Sequence, residues 1–267
     1  MKSIFSLLTI FISIIIFSSC AHYNHDEHES EVTNEHLLYA TIYQQKSAEI
    51  AALQMQAFNI AYDRLNEILA TDKGEKPLAI IVDVDETVLD NSPFESKSIL
   101  ENSDYPKYWD EWCELAEAKA LPGASEFLNY AASKGVETFY VTNRKIHLQE
   151  ATKKNLLAKG FPHVDDDHMM LRDKISSKES RRLKILETYE IVILMGDNLG
   201  DLSQLFDDQK SLERHKTVQS LQSEFGRKFI VLPNSMYGAW VDALIQNPTG
   251  MSKSEKLDAL KSILEDF

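Results

Sequence analysis

Short apolar runs rich in β-branched residues alternate with stretches of helical periodicity through most of this chain. Leu78–Val84, Val136–Thr142, Met169–Arg172, Ile191–Gly196 and Phe229–Leu232 read as buried strands. Between them, apolar residues recur at helical spacing in Ala124–Ser133, His147–Lys159, Lys178–Glu187 and Ser211–Phe225. Strands alternating with helices predict an α/β fold built on a doubly wound, mostly parallel sheet. One long helix is predicted ahead of the sheet, from Leu37 to Leu69, with Ala48, Ala51, Ala52, Met55, Phe58, Ile60, Ala61 and Leu65 on its apolar positions. Gly74 and Pro77 close it.

Three segments break this alternation. Met1-Lys2 precedes an apolar run from Ile4 to Phe17 that ends in Ser18-Ser19-Cys20. A run this short with small residues after it reads as an export signal, residues 1–19, rather than a membrane span. Residues 20–36 are polar and aperiodic, and read as a solvated tether whose histidines (His22, His25, His28, His36) belong to a spacer rather than a metal tract. The third segment lies within the domain at 37–267. About 35 residues separate the first strand from Pro122-Gly123, too many for an ordinary strand–helix connection. It carries Phe94, Tyr105, Tyr108, Trp109 and Trp112.

The chemistry gathers where the apolar runs stop. Ile80-Ile81-Val82-Asp83-Val84-Asp85-Glu86-Thr87 ends a strand in two carboxylates at i, i+2, which point to the same side. Ligands of open α/β sheets bind at that end of the strands. Adjacent anions are costly without a cation or a shared proton, so the pair suggests a metal and a reactive carboxylate. Taken alone, the same residues suit a helix cap equally well. The rest of the chain shifts the balance. The second strand ends at Thr142-Asn143-Arg144. Ser176-Ser177-Lys178 opens a helix. The run Ile191–Gly196 leads into Asp197 and Asp201, at i, i+4.

This order resembles the haloacid dehalogenase (HAD) superfamily: DxDxT, a strand-end Ser/Thr, a Lys, then GDxxxD. Asp83-Val84-Asp85-Glu86-Thr87-Val88-Leu89-Asp90-Asn91-Ser92, Val141-Thr142-Asn143-Arg144, Gly196-Asp197-Asn198-Leu199 and Tyr237-Gly238-Ala239-Trp240 resemble, more narrowly, the class C acid phosphatases and bacterial lipoprotein 5′-nucleotidases. The resemblance implies a phosphomonoesterase in which Asp83 attacks phosphorus and Asp85 serves as acid, then base. It implies Mg²⁺ held by the Asp83 carboxylate, the Asp85 backbone carbonyl and Asp197, with Asp201 behind them as partner to metal waters or Lys178. Thr142 and Lys178 would hold the phosphoryl oxygens, and Asn143 and Arg144 would extend the loop on that side. Lys174 competes with Lys178, which is preferred because a cap precedes it at a helix start. Arg144 suits substrate contact or a rim ion pair equally. A small helical cap is expected from about 88–121, completed by about 37–70. Phe94, Trp112 and Tyr237 are the aromatics expected to sandwich a nucleoside; rings packing only the cap's own core are the alternative. Ser18-Ser19-Cys20 resembles a lipobox, which would make Cys20 a lipid anchor to a bacterial membrane, the outer one by expectation, facing periplasm or exterior.

Composition narrows the substrate. The 267 residues carry a formal charge of −14, and loss of residues 1–19 removes only Lys2, giving about −15. That argues against a nucleic-acid surface. A small phosphorylated substrate remains compatible, because a metal and a few local cations set the field in a cleft. Of two cysteines, lipidation of Cys20 would leave Cys113 alone, so no internal disulfide is expected. Asp165-Asp166-Asp167-His168 reads as a solvated loop. The expected function is dephosphorylation of nucleoside monophosphates outside the cytoplasm. The rivals are a broad-specificity acid phosphatase, a phosphotransferase using the same intermediate, and a non-catalytic binding lipoprotein.

Overall fold

The computed structural model describes residues 33–71, 74–246 and 248–267. The expected signal segment, Cys20 and all but the last residues of the tether lie outside them. Strands β1 (Leu78–Val82), β4 (Glu137–Lys145), β5 (Met169–Arg172), β6 (Glu190–Gly196) and β7 (Phe229–Val231) form one sheet in the order β5-β4-β1-β6-β7. Every pairing in it is parallel. The chain moves outward from β1 to β4 and β5, then returns to β6 and β7 on the other side. The order therefore reverses beside β1, and the crevice for a ligand opens at its C-terminal end.

The side-chain alternation of β1 fills both faces. Leu78, Ile80 and Val82 join one apolar cluster, and Ala79 and Ile81 join the other. The first cluster packs against α2 (Ala48–Thr71) through Phe58, Ala61 and Leu65, and against α5 (Ala124–Ser133) through Phe127 and Leu128. Leu156 of α6 (Gln149–Ala158) adds to it. The second packs against Ile185 of α7 (Glu179–Thr188) and Leu202 of α8 (Leu199–Leu202). Each fully buried Leu or Ile stabilises by about 1.5–3 kcal/mol relative to exposure.

The predicted single helix at 37–69 is two helices, α1 (Leu38–Lys46) and α2. Ser47 between them is extended, and its hydroxyl accepts the Ile50 N–H at 3.1 Å, an N-cap that starts a helix on a new axis. The break separates two roles. Helix α2 belongs to the core layer rather than to a cap, because its apolar face is spent on the sheet. Helix α1 instead packs on α3 (Ser92–Leu100). The cap is therefore α1, α3 and α4 (Trp109–Leu115), with the short antiparallel pair β2 (Leu89–Asp90) and β3 (Lys119–Ala120) at its root. The tether also ends sooner than expected. Asn34–Leu37 forms a 3-10 turn, and the Asn34 amide donates to the Ser98 carbonyl at 3.1 Å and the Ser103 carbonyl at 2.7 Å.

Helix α9 (Ser211–Ser220) joins β6 to β7, and after β7 come α10 (Ala239–Leu244) and α11 (Lys253–Lys261), both unforeseen in the sequence pattern. Cys113 is buried and free. Among the described residues, no helix is long and apolar enough to cross a membrane.

Candidate active site

Strand β1 delivers the first carboxylate and a tight loop delivers the second. The Asp83 N–H still donates to Met195 O at 3.0 Å, holding Asp83 in line with β6. The chain then curls: Val88 and Leu89 N–H both return to Val84 O, at 3.0 and 2.9 Å. Glu86 takes a left-handed conformation, φ 56°, and its buried carboxylate accepts the Asn91 N–H at 2.7 Å. Burial, reinforced by Asp85 and Asp197, pushes the Glu86 carboxyl well above its usual range.

Asp83 and Asp85 leave this loop toward different cations. Asp83 is ion-paired with Lys178, whose Nζ also meets Asp201 Oδ1 at 2.7 Å. Asp85 Oδ1 accepts from Arg144 Nε at 2.9 Å and Asn91 Nδ2 at 2.8 Å and is ion-paired with Arg144 Nη2 at 2.8 Å, while Oδ2 accepts from Thr142 Oγ1 at 3.4 Å. Arg144 is thus no rim residue. It is buried, and its guanidinium is satisfied there by Asp85 Oδ1, which takes both Nε and Nη2, and by Asn91 Oδ1 and Thr152 Oγ1. Lys178 is the buried lysine of the cluster, while Lys174 is exposed.

The third segment closes the group. Asp197 N–H donates to Thr87 Oγ1 at 3.1 Å, and Asn234 Nδ2 donates to Asp197 Oδ2 at 2.8 Å. Asp201 caps α8 by accepting the Asn198 N–H at 3.0 Å. Gly196 makes this possible: a Cβ there would lie 2.3 Å from the Asp201 Cβ. Carboxylate oxygens of Asp83, Asp197 and Asp201 all lie within 4.8 Å of one another. Burial, then Asp201 and Asp85, drive the Asp83 carboxyl up to about 7 against the pull of Lys178. Asp197 is driven well above its range by burial and by Asp201 and Asp83. One lysine does not neutralise three such groups. An all-oxygen, anionic donor set with this shortfall fits a hard divalent cation.

The sequence family described as HAD superfamily, subfamily IIIB (Acid phosphatase) matches residues 15–240. This chain belongs to that family. The class C acid phosphatase of Bacillus anthracis shares 40% identity and superposes with a TM-score of 0.85, covering 88% of this chain and 98% of that one. A second structure of that protein, with tungstate bound, matches equally. Acid phosphatase 1 of Solanum lycopersicum is 29% identical over 166 residues, 59% of this chain and 57% of that one. A stem 31 kDa glycoprotein of Glycine max is 29% identical over 129 residues. The chain spans about half the length of these curated relatives.

In this chain the cluster forms the floor of a cleft of about 500 Å³ that also exposes Asn143. Arg181 holds that loop, donating to Thr142 O at 2.6 Å and Asn143 Oδ1 at 2.8 Å. Thr142 itself is fully buried beneath Asp85 and does not line the cleft. Phe94 and Tyr237 stand on the cleft wall, but Trp112 does not. Its indole packs against the main core and donates to Asn91 Oδ1 at 2.8 Å, so it braces the residue that braces Asp85. Trp109, one turn earlier on α4, takes the wall position. It meets Phe94 edge-on at 5.0 Å between ring centres, and the Arg144 guanidinium lies 5.6 Å from its ring centre.

Sequence reasoning missed Asn91, Asn234 and Arg181 as supports of the site. Asn91 and Arg144 stood within quoted motifs, so a signal existed. Asn234 and Arg181 carried none, because their partners are set by the fold. Asp165–His168 is a bonded surface loop in which Asp165 accepts from His168 and Asp166 pairs with Lys153.

Proposed function

We propose that this acid phosphatase hydrolyses nucleoside monophosphates through an aspartyl-phosphate on Asp83, with Mg²⁺ as cofactor. The observation that carries the reading is the division of two neighbouring carboxylates between two cations: Asp83 with Lys178, and Asp85 with Arg144. An Asp83 oxygen attacks phosphorus and the ester P–O bond breaks. Asp85 gives its proton to the departing alkoxide. Asp85 then takes a proton from the water that attacks the same phosphorus, which returns the Asp83 carboxylate and releases phosphate. Lys178 lies where it can pair with phosphoryl oxygens, and Arg144 holds Asp85 aimed at the leaving side. Asp83, Asp197 and the Asp85 carbonyl would hold Mg²⁺, with Asp201 behind them. When bound, the ion offsets the repulsion between a phosphate dianion and this acidic floor.

The cleft volume and the rings of Phe94, Trp109 and Tyr237 support a leaving group with a flat face. The tungstate-bound neighbour supports a tetrahedral oxyanion as ligand. The apolar run before Cys20 supports export and a lipid anchor on the membrane surface. The test is phosphate release from nucleotides, sugar phosphates and an aryl phosphate, with Mg²⁺ and with chelator. Chelation should abolish turnover and Mg²⁺ should restore it. Full activity after exhaustive chelation would overturn the metal assignment. Equal kcat/KM for nucleotides and sugar phosphates would favour a broad-specificity phosphatase.

A further inference from the structure

At the cap end of the cleft, helix α3 carries Glu95 next to Phe94. Glu95 is only 9% exposed, lines the cleft, and has no ion pair or hydrogen bond to its carboxylate among the described residues. Ser98, one turn on, and Ser103 line the same end, and both hydroxyls are buried without a partner. Neighbouring polar groups are already engaged. The Asn34 amide is bonded to backbone carbonyls, and Asp104 pairs with Lys253 at 3.3 Å. Buried polar groups are normally paired, because each unpaired one costs the desolvation of that group. Three together on a cleft wall, next to the aromatic rings, mark a surface completed by its ligand.

The chemistry of these groups says which ligand. A carboxylate offers two acceptor oxygens side by side and suits two adjacent N–H donors. A serine hydroxyl can donate to a carbonyl next to them. We propose that Glu95, with Ser98 and Ser103, is a specificity-determining residue that reads the edge of a nucleobase bearing two adjacent N–H donors beside a carbonyl, the guanine pattern. This rests on the nucleoside monophosphate reading above and adds the base to it. Burial pushes the Glu95 carboxyl up to about 7, so its accepting form grows as pH rises through neutrality.

The experiment compares kcat/KM for guanosine monophosphate, inosine monophosphate and an aryl phosphate in the full chain with Mg²⁺. Inosine lacks only the 2-amino group, so the guanosine-to-inosine ratio isolates that donor. The wild type should prefer guanosine by about 10-fold or more, the scale of a hydrogen bond to a charged group. Glu95→Ala should bring the ratio to about 1, and the isosteric Glu95→Gln should lower it with the fold kept. The preference in the wild type should strengthen between pH 6 and pH 8. Because each ratio is taken within one protein, loss of folded enzyme cancels. A wild-type ratio near 1, or one unmoved by both substitutions, overturns the assignment. If nucleotides show no advantage over the aryl phosphate, the nucleotide reading fails first and this one with it.

Discussion

The two ends of the cleft are built on opposite terms. On the floor, each carboxylate is held in place by a side chain: Lys178 lies between Asp83 and Asp201, Arg144 grips Asp85, and the Asn234 amide holds Asp197, with the surplus negative charge left for a cation. At the cap end, Glu95, Ser98 and Ser103 are buried without partners, among rings that touch edge-on. The floor is preorganised, so its charges need not rearrange when a phosphoryl group arrives. The cap end leaves bonding capacity open, which is what discrimination between leaving groups requires. Damage to the floor should therefore strike all substrates alike, and damage to the cap end should strike them selectively.

The sharpest break in that contrast is Asp83→Asn. It should cut phosphate release by about 10³-fold or more for every ester. Near-normal turnover by the folded variant would remove the nucleophile from the floor. Next comes Arg144→Met, which leaves Asp85 without its guanidinium in a largely buried position. Breaking such a pair costs about 3–5 kcal/mol, to be read from denaturant midpoints alongside activity. A variant that melts like the wild type would show that Asn91 and Thr142 alone hold Asp85.

A smaller and more selective effect separates the two tryptophans. Trp109→Ala should lower the nucleotide-to-sugar-phosphate ratio of kcat/KM by about 5- to 150-fold, the range for one stacked base. Trp112→Ala should instead lower stability and act on all substrates through Asn91. Equal shifts of the ratio in both would erase the distinction. The smallest effect concerns pH. The folded Glu95 carboxyl titrates at about 7, against about 4.3 for an unfolded glutamate. The folded state holds the proton more tightly, so this group's stabilising contribution is full below the unfolded value and is lost as pH rises toward 7. Glu95→Gln should therefore raise Tm relative to wild type more at pH 8 than at pH 4.5. A constant difference across that range would deny the buried, unpaired carboxylate.

What the sequence made legible follows from how local each cause is. Met169–Arg172 and Ala124–Ser133 form the strand and helix their periodicity predicts, residue for residue, since burial on a sheet imposes the pattern directly. Asp83, Lys178, Asp197 and Asp201 converge because strand ends and helix starts of a parallel sheet share one edge. The break at Ser47 was hidden, since serine suits both a helix exposed on one side and a cap. Trp109 and Trp112 sit three apart on one short helix, and which ring faces the cleft depends on where α3 lies against it. Arg144 finds Asp85 across 59 positions of sequence, and no local signal distinguishes a buried guanidinium from an exposed one. Asn34 looked like part of a polar tail, while its amide is fixed by carbonyls far along the chain.

The absent side chain at position 196 reaches further than its size suggests. An alanine there would force the Asp201 side chain aside, and that aspartate both caps α8 and meets Lys178. A change of one methyl group would thus propagate to the lysine beside Asp83 with no direct contact between the two. Positions 178, 196 and 201 are thus mechanically coupled: a side chain added at 196 is felt at 178 through Asp201.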